Sequence, residues 1–85
     1  MFWLGTCPSC HHQGRLVVMH DQTRDRLYLH CEECESGWRD PERVGDLTTR
    51  FLTLDEEFQA EPATEDDLSR RGWMRYAVQR MSDVP

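Results

Sequence analysis

The chain has 85 residues, ten basic and sixteen acidic; all ten basic residues are arginine, and the net charge is −6. That length supports one domain with a thin core, and the 38% apolar content is that of a globular chain, not a low-complexity one. The charge argues against a protein drawn to phosphate backbones at long range, and no stretch approaches the roughly 18 apolar residues of a membrane span.

Taken in order, Met1-Phe2-Trp3-Leu4-Gly5-Thr6 has no basic flank and an apolar run too short for a secretory signal. The expected compartment is therefore the cytoplasm, where thiols stay reduced. Next comes a first cysteine pair, Cys7-Pro8-Ser9-Cys10. Residues 15–20 (RLVVMH) are rich in branched and large apolar side chains and predict a strand. Asp21-Gln22-Thr23-Arg24-Asp25 predicts a polar turn. Residues 27–31 alternate, with Leu27, Leu29 and Cys31 on one face and Tyr28 and His30 on the other. That hairpin sets His20 across from His30 and delivers the second pair, Cys31-Glu32-Glu33-Cys34, next to the first. Trp38-Arg39 predicts a short third strand.

Asp40-Pro41-Glu42-Arg43 predicts a helix start, with Asp40 as N-cap and Pro41 in the first helical position, ended by Gly45. Residues 47–54 (LTTRFLTL) are compatible with a strand or a helical turn, and their threonines and Phe51 favour a strand. Asp55-Glu56-Glu57 is an acidic run. Thr64 followed by Glu65, Asp66 and Asp67 predicts a helix N-terminus whose carboxylates suit the helix dipole. Gly72 predicts a break, followed by a second helix with Met74, Ala77, Val78 and Met81 on one stripe.

The chemistry concentrates in Cys-x2-Cys-x20-Cys-x2-Cys. Two residues between thiolates let both sulfurs of a tight turn face one ion, and two such turns supply four soft anionic ligands. That set suits tetrahedral zinc. Cys7, Cys10, Cys31 and Cys34 are thus the candidate ligands of one structural Zn2+. A redox pair would use one Cys-x-x-Cys on a βα turn, and disulfides would need an oxidising compartment. His11 and His12 flank the first pair as solvated residues. A shell of four cysteines leaves no open position for water or substrate. No catalytic triad, phosphate loop or dinucleotide fingerprint is present, so no enzymatic activity is expected; Glu32 and Glu33 lack a pocket in which to act as acids.

On the two cysteine pairs, the intervening hairpin and Trp38, residues 1–40 resemble the zinc-ribbon proteins and, more distantly, rubredoxin. The resemblance implies an antiparallel ribbon with the metal at one end. Rubredoxin-like knuckles carry glycine soon after each second cysteine, where this chain has His11 and Glu35; that difference disfavours iron.

The expected fold is therefore a small α+β zinc-bound domain: a three-stranded antiparallel ribbon followed by short C-terminal helices. It forms a single domain over residues 1–85, with a ribbon at 1–44 and an acidic strand and helical extension at 45–85 packed on it. The ribbon holds five arginines against seven carboxylates and the extension five against nine. A non-enzymatic protein that docks a basic protein partner through its acidic surface is the expected function, with a toxin-neutralising immunity protein as one form of it. The alternative is a nucleic-acid or transcription-associated module using Arg15, Arg24, Arg26, Arg39 and Arg43 with Tyr28 and His30 as stacking groups. Of the tryptophans, Trp3, Trp38 and Trp73 are expected to build the core.

Overall fold

In a computed structural model, residues 1–53, 58–76 and 78–80 are described. Leu54, the acidic run at 55–57, Ala77 and Met81 lie outside them. The hairpin at the centre follows the alternation in its sequence. β2 (Arg15–Asp21) pairs antiparallel with β3 (Arg26–Cys31) from Leu16↔Cys31 to Asp21↔Arg26. Asp21 shapes the turn: its carboxylate accepts the backbone N–H groups of Thr23 (3.0 Å) and Arg24 (3.1 Å), an arrangement that lets aspartate replace a backbone partner in a tight turn.

β1 (Phe2–Thr6) pairs with the first half of β2, with an irregularity between Trp3 and Thr6 where Gly5 takes a φ of 71°. Glycine meets that left-handed backbone without a Cβ clash. On the far side of β3 lies β4 (Ser36–Trp38), and beyond it the two-residue β5 (Phe51–Leu52). β6 (Ala60–Pro62) pairs with the second half of β2, so β1 and β6 share one edge of that strand. β7 (Gln79–Arg80) pairs with β1. The extension thus adds strands to the same sheet that the hairpin begins, and the fold is mostly antiparallel sheet.

One face of the sheet carries the core: Leu16, Val18, Leu27, Leu29, Cys31 and Trp38, closed by Ala63 and Leu68. Leu68 projects from α1 (Glu65–Arg70), the six-residue α-helix of the described chain. Thr64 and Asp67 form a reciprocal cap on it: the Asp67 N–H donates to the Thr64 hydroxyl (3.1 Å) and the Thr64 N–H to the Asp67 carboxylate (2.9 Å). The Thr64 amide holds the Asp67 carboxyl below the usual carboxylate range, against a weaker upward push from burial. Because the folded value lies below the unfolded one, this stabilisation is complete above the unfolded value of about 3.9 and is lost as pH falls through the folded value. Asp67→Asn should cost about 1–2 kcal/mol at neutral pH, and the gap to the parent should narrow below about pH 4. Denaturant titrations of both proteins across pH check it.

Several expectations need correction. The second C-terminal helix does not form among the described residues. Gly72 takes a φ of 72° and ends α1 with its N–H on the Ser69 carbonyl (3.3 Å); the chain then makes one 3₁₀ turn at Trp73–Arg75 and enters β7. The edge of β1 supplies backbone partners to β7, while Met74 stays half exposed. Among the described residues 47–53, the strand is confined to Phe51–Leu52. Asp46 captures the Thr48 amide (2.9 Å) and hydroxyl (2.6 Å), which diverts that backbone from a ladder. His20 and His30 do not face one another: His20 stands opposite Leu27 and His30 opposite Val17, on different faces of the sheet. The Asp40 cap forms as expected, accepting the Glu42 N–H at 2.9 Å, but it starts a 3₁₀ turn, Pro41–Arg43.

The second face is not the open polar surface that Tyr28 and His30 suggest. Phe51 and Phe58 pack on Tyr28 at ring-centroid distances of 5.8 and 5.4 Å, leaving it 4% exposed. The tryptophans divide accordingly. Trp38 is fully buried, Trp3 lies on the second face opposite Val17, and Trp73 packs at the margin of the core.

Candidate metal centre

Each cysteine pair sits on a tight turn at the same end of the hairpin. In the first, Pro8–Cys10 forms a 3₁₀ turn, the Cys7 N–H donates to the Gly14 carbonyl (2.8 Å) and the His12 N–H returns to the Cys7 carbonyl (2.8 Å). In the second, the backbone N–H groups of Glu33 and Cys34 both point at the Cys31 sulfur, at 3.4 Å. Such donors favour a thiolate over a thiol. Because Leu16 pairs with Cys31, the strand leaving the first turn runs directly against the strand entering the second.

The four sulfurs close on one point. Cys7 Sγ lies 3.7 Å from Cys34 Sγ, Cys10 Sγ lies 3.6 Å from Cys31 Sγ, and all four fall within 4.8 Å of one another. A disulfide would bring sulfurs to about 2.05 Å, so these are free thiols. A zinc ion bound at about 2.3 Å requires tetrahedral edges of about 3.8 Å, which the cross-turn pairs match. The donor set therefore fits one four-coordinate metal ion, with Cys7 and Cys31 wholly buried and Cys10 and Cys34 partly so. Without a cation the group resists full ionisation. Burial pushes the Cys7 thiol up to about 12. Burial also opposes ionisation of Cys34, yet the Ser36 hydroxyl and amide beside its sulfur bring it down to about 7.

Several residues that the cysteine spacing does not reveal hold this centre in shape. Arg50 Nη1 donates to the Ser9 hydroxyl (2.9 Å) in the first turn and approaches the Ser36 hydroxyl (3.5 Å), itself 3.2 Å from Cys34 Sγ. One guanidinium thus spans both turns near a cluster that would carry about −2 with a divalent ion bound. Glu32 reaches back to Arg15 (2.8 Å) at the base of the hairpin. The Glu35 carboxylate accepts from His30 Nε2 (2.6 Å), and its carbonyl accepts the Thr53 N–H and hydroxyl (both 3.0 Å), which fastens the chain beyond β5 to the second turn. His11 and Glu35 take φ values of 56° and 62°. The positions that hold glycine in rubredoxin-like knuckles therefore keep glycine's left-handed backbone here despite their side chains. His11 and His12 are exposed, and His12 bonds the Thr6 hydroxyl (2.8 Å) instead of joining the sulfurs.

Gly14 is the clearest of the residues missed in sequence. A Cβ there would stand 2.5 Å from Cys31 Sγ and 2.9 Å from Glu33 Cγ, so the sulfur occupies the space a side chain would need. Gly14→Ala should weaken metal affinity by about ten- to a hundredfold, the usual effect of disturbing residues that position ligands. Competition against a chelator of known affinity measures this, and an unchanged constant would place the Cys31 sulfur elsewhere. The legible signal was a small residue four positions past Cys10, where two turns must meet.

Among the described residues, no helix is long and apolar enough to cross a membrane. Comparison with known proteins found no matching family model, no matching curated protein and no matching solved structure.

Proposed function

We propose that this chain is a non-enzymatic zinc protein of the cytoplasm, whose metal is structural and whose role is to dock a basic protein partner through its acidic surface. The observation that carries the reading is the tetrahedral spacing of four cysteine sulfurs, a donor set that closes the coordination shell against substrate. A net charge of −6 supplies the attraction and would speed association with a basic protein. Many exposed carboxylates already pair with arginines, as in Glu65–Arg80 (3.1 Å) and Asp66–Arg70 (2.9 Å). Exposed pairs of this kind contribute about 0–1 kcal/mol, so a partner's cations can replace them at little cost. A neutralising role, such as an immunity protein covering a basic toxin, follows from the same size and charge. The nucleic-acid alternative loses Tyr28 as a stacking group, because that ring is buried under Phe51 and Phe58.

Copurification from native cells with washes of rising salt tests the docking. A basic protein retained at low salt and released at high salt is the expected result. Salt-independent retention, or retention of nucleic acid, counts against it.

A further inference from the structure

Four of the ten arginines meet in one open cleft that their positions in sequence do not announce. Arg26 begins β3, Arg39 follows β4, and Arg70 and Arg71 close α1. Together with Leu27 and Trp73 they line a cavity of about 550 Å³. We propose that this cleft binds a small phosphorylated ligand of the nucleoside diphosphate class, with its phosphates among the arginines and its ring against Trp73. The proposal goes beyond the docking function above and does not depend on it.

Assembly of four guanidinium groups in one hollow is unfavourable unless carboxylates or a ligand answer them. The carboxylates that pair with Arg70 and Arg71 (Asp66, Asp67 and Asp25) are not among the residues lining the cavity, and none of the described lining residues is acidic. Arg71 donates to the Asp25 carbonyl and carboxylate, both at 2.6 Å. Arg70 is held by Asp66 (2.9 Å) and Asp67 (3.1 Å). The Arg39 guanidinium carbon stands over the Phe51 ring, 3.9 Å from its centroid. Three cations are thereby oriented before any ligand arrives, which lowers the ordering cost of binding. A guanidinium has five N–H donors, and the contacts to Asp25 use two of those on Arg71. Arg26 meets Asp21 Oδ2 only at 3.9 Å, since that oxygen already accepts from the Arg24 guanidinium at 3.2 Å.

Phosphate fits this set better than a lone carboxylate. Guanidinium forks match phosphate oxygens two at a time, and a diphosphate presents enough oxygens for several forks. The volume exceeds the need of an inorganic anion and falls within the roughly 300–1,000 Å³ of small-molecule sites. Trp73, partly buried and braced edge-on by Tyr76 at 6.1 Å, adds an aromatic surface at the wall. A nucleic-acid strand fits less well. Its backbone would continue past Asp25 and Asp66, both about three-quarters exposed, and across a surface of net negative charge.

The test is calorimetric titration of the metal-loaded full chain in low-salt, phosphate-free buffer. The probes are adenosine diphosphate, pyrophosphate, adenosine and a short mixed-sequence single-stranded oligonucleotide. Adenosine diphosphate should bind at one site and more tightly than pyrophosphate, and adenosine alone should give no heat. Arg26→Gln should weaken adenosine diphosphate by about tenfold or more, the loss expected for a charge-assisted bond. Arg39→Gln should act in the same direction, with metal content and circular dichroism confirming that both variants fold. Trp73→Leu should abolish the preference for adenosine diphosphate over pyrophosphate. The proposal is overturned if neither phosphate probe binds, if both arginine variants bind like the parent, or if the oligonucleotide binds more tightly than adenosine diphosphate. Equal affinity for pyrophosphate and adenosine diphosphate in the parent overturns the assignment to nucleotides.

Discussion

Loss of the metal is expected to unfold this protein outright, and Cys31→Ser is expected to reproduce that loss. The reason is a comparison of magnitudes. A chain of this length carries a net stability of about 4–13 kcal/mol by the usual per-residue range. Binding of a structural zinc ion supplies about 10–16 kcal/mol near neutral pH, as large as the whole. Two of the candidate ligands are also part of the core, since Cys7 and Cys31 are fully buried among Leu16, Leu29 and Trp38. Serine at position 31 would replace a soft sulfur by a poorer ligand and leave a hydroxyl in an apolar setting. Native mass spectrometry should find one zinc per chain, and a strong chelator should remove the metal and the circular dichroism signal of the sheet together. A chain that stays folded, metal-free and indifferent to chelator would end the metal reading.

The second large effect belongs to Trp38→Ala, at about 3–5 kcal/mol for a buried tryptophan. Trp38 is 0% exposed, stands opposite Leu29 across β3 and β4, and donates its indole N–H to the Asp46 carbonyl at 3.2 Å. It therefore fills the core and ties down the segment leading to β5. Trp38→Phe separates the two roles, because it keeps most of the volume and loses the hydrogen bond, for about 1 kcal/mol. With the metal saturating, the alanine variant should melt more than about 12 °C below the parent and the phenylalanine variant about 4–8 °C below it. Equal losses would mean that the hydrogen bond, not the ring volume, holds this part of the fold.

The central hairpin was legible because its residues obey one local rule: Leu27, Leu29 and Cys31 alternate, and they do form the inner face. The Asp40 and Thr64 caps and the stop at Gly72 were legible for a similar reason, since each depends on a few neighbouring residues. The candidate quartet was legible from spacing alone, and the structure brings its four sulfurs within 4.8 Å of one another, close enough to hold one metal ion. What sequence hid were the pairings decided by distant partners. Gln79 and Arg80 carry no strong strand signal; they become β7 because β1 offers an unfilled edge. Tyr28 reads in sequence as a ring available for stacking because the rings that cover it, Phe51 and Phe58, lie more than twenty residues away. Arg50 and Gly14 look ordinary until the two turns are brought together.

The divided edge of β2 also sets an order in time. A strand bonded to β3 on one side and to β1 and β6 on the other surrenders its amide protons only when the whole molecule opens, whereas two-residue strands such as β5 and β7 fray alone. Exchange with heavy water should therefore label the outer strands first and reach Val18 and Leu29 last. The first part of the molecule to yield under stress is then the stitching around the hairpin, and the sulfur-clasped hairpin itself is the remnant from which the rest can close again.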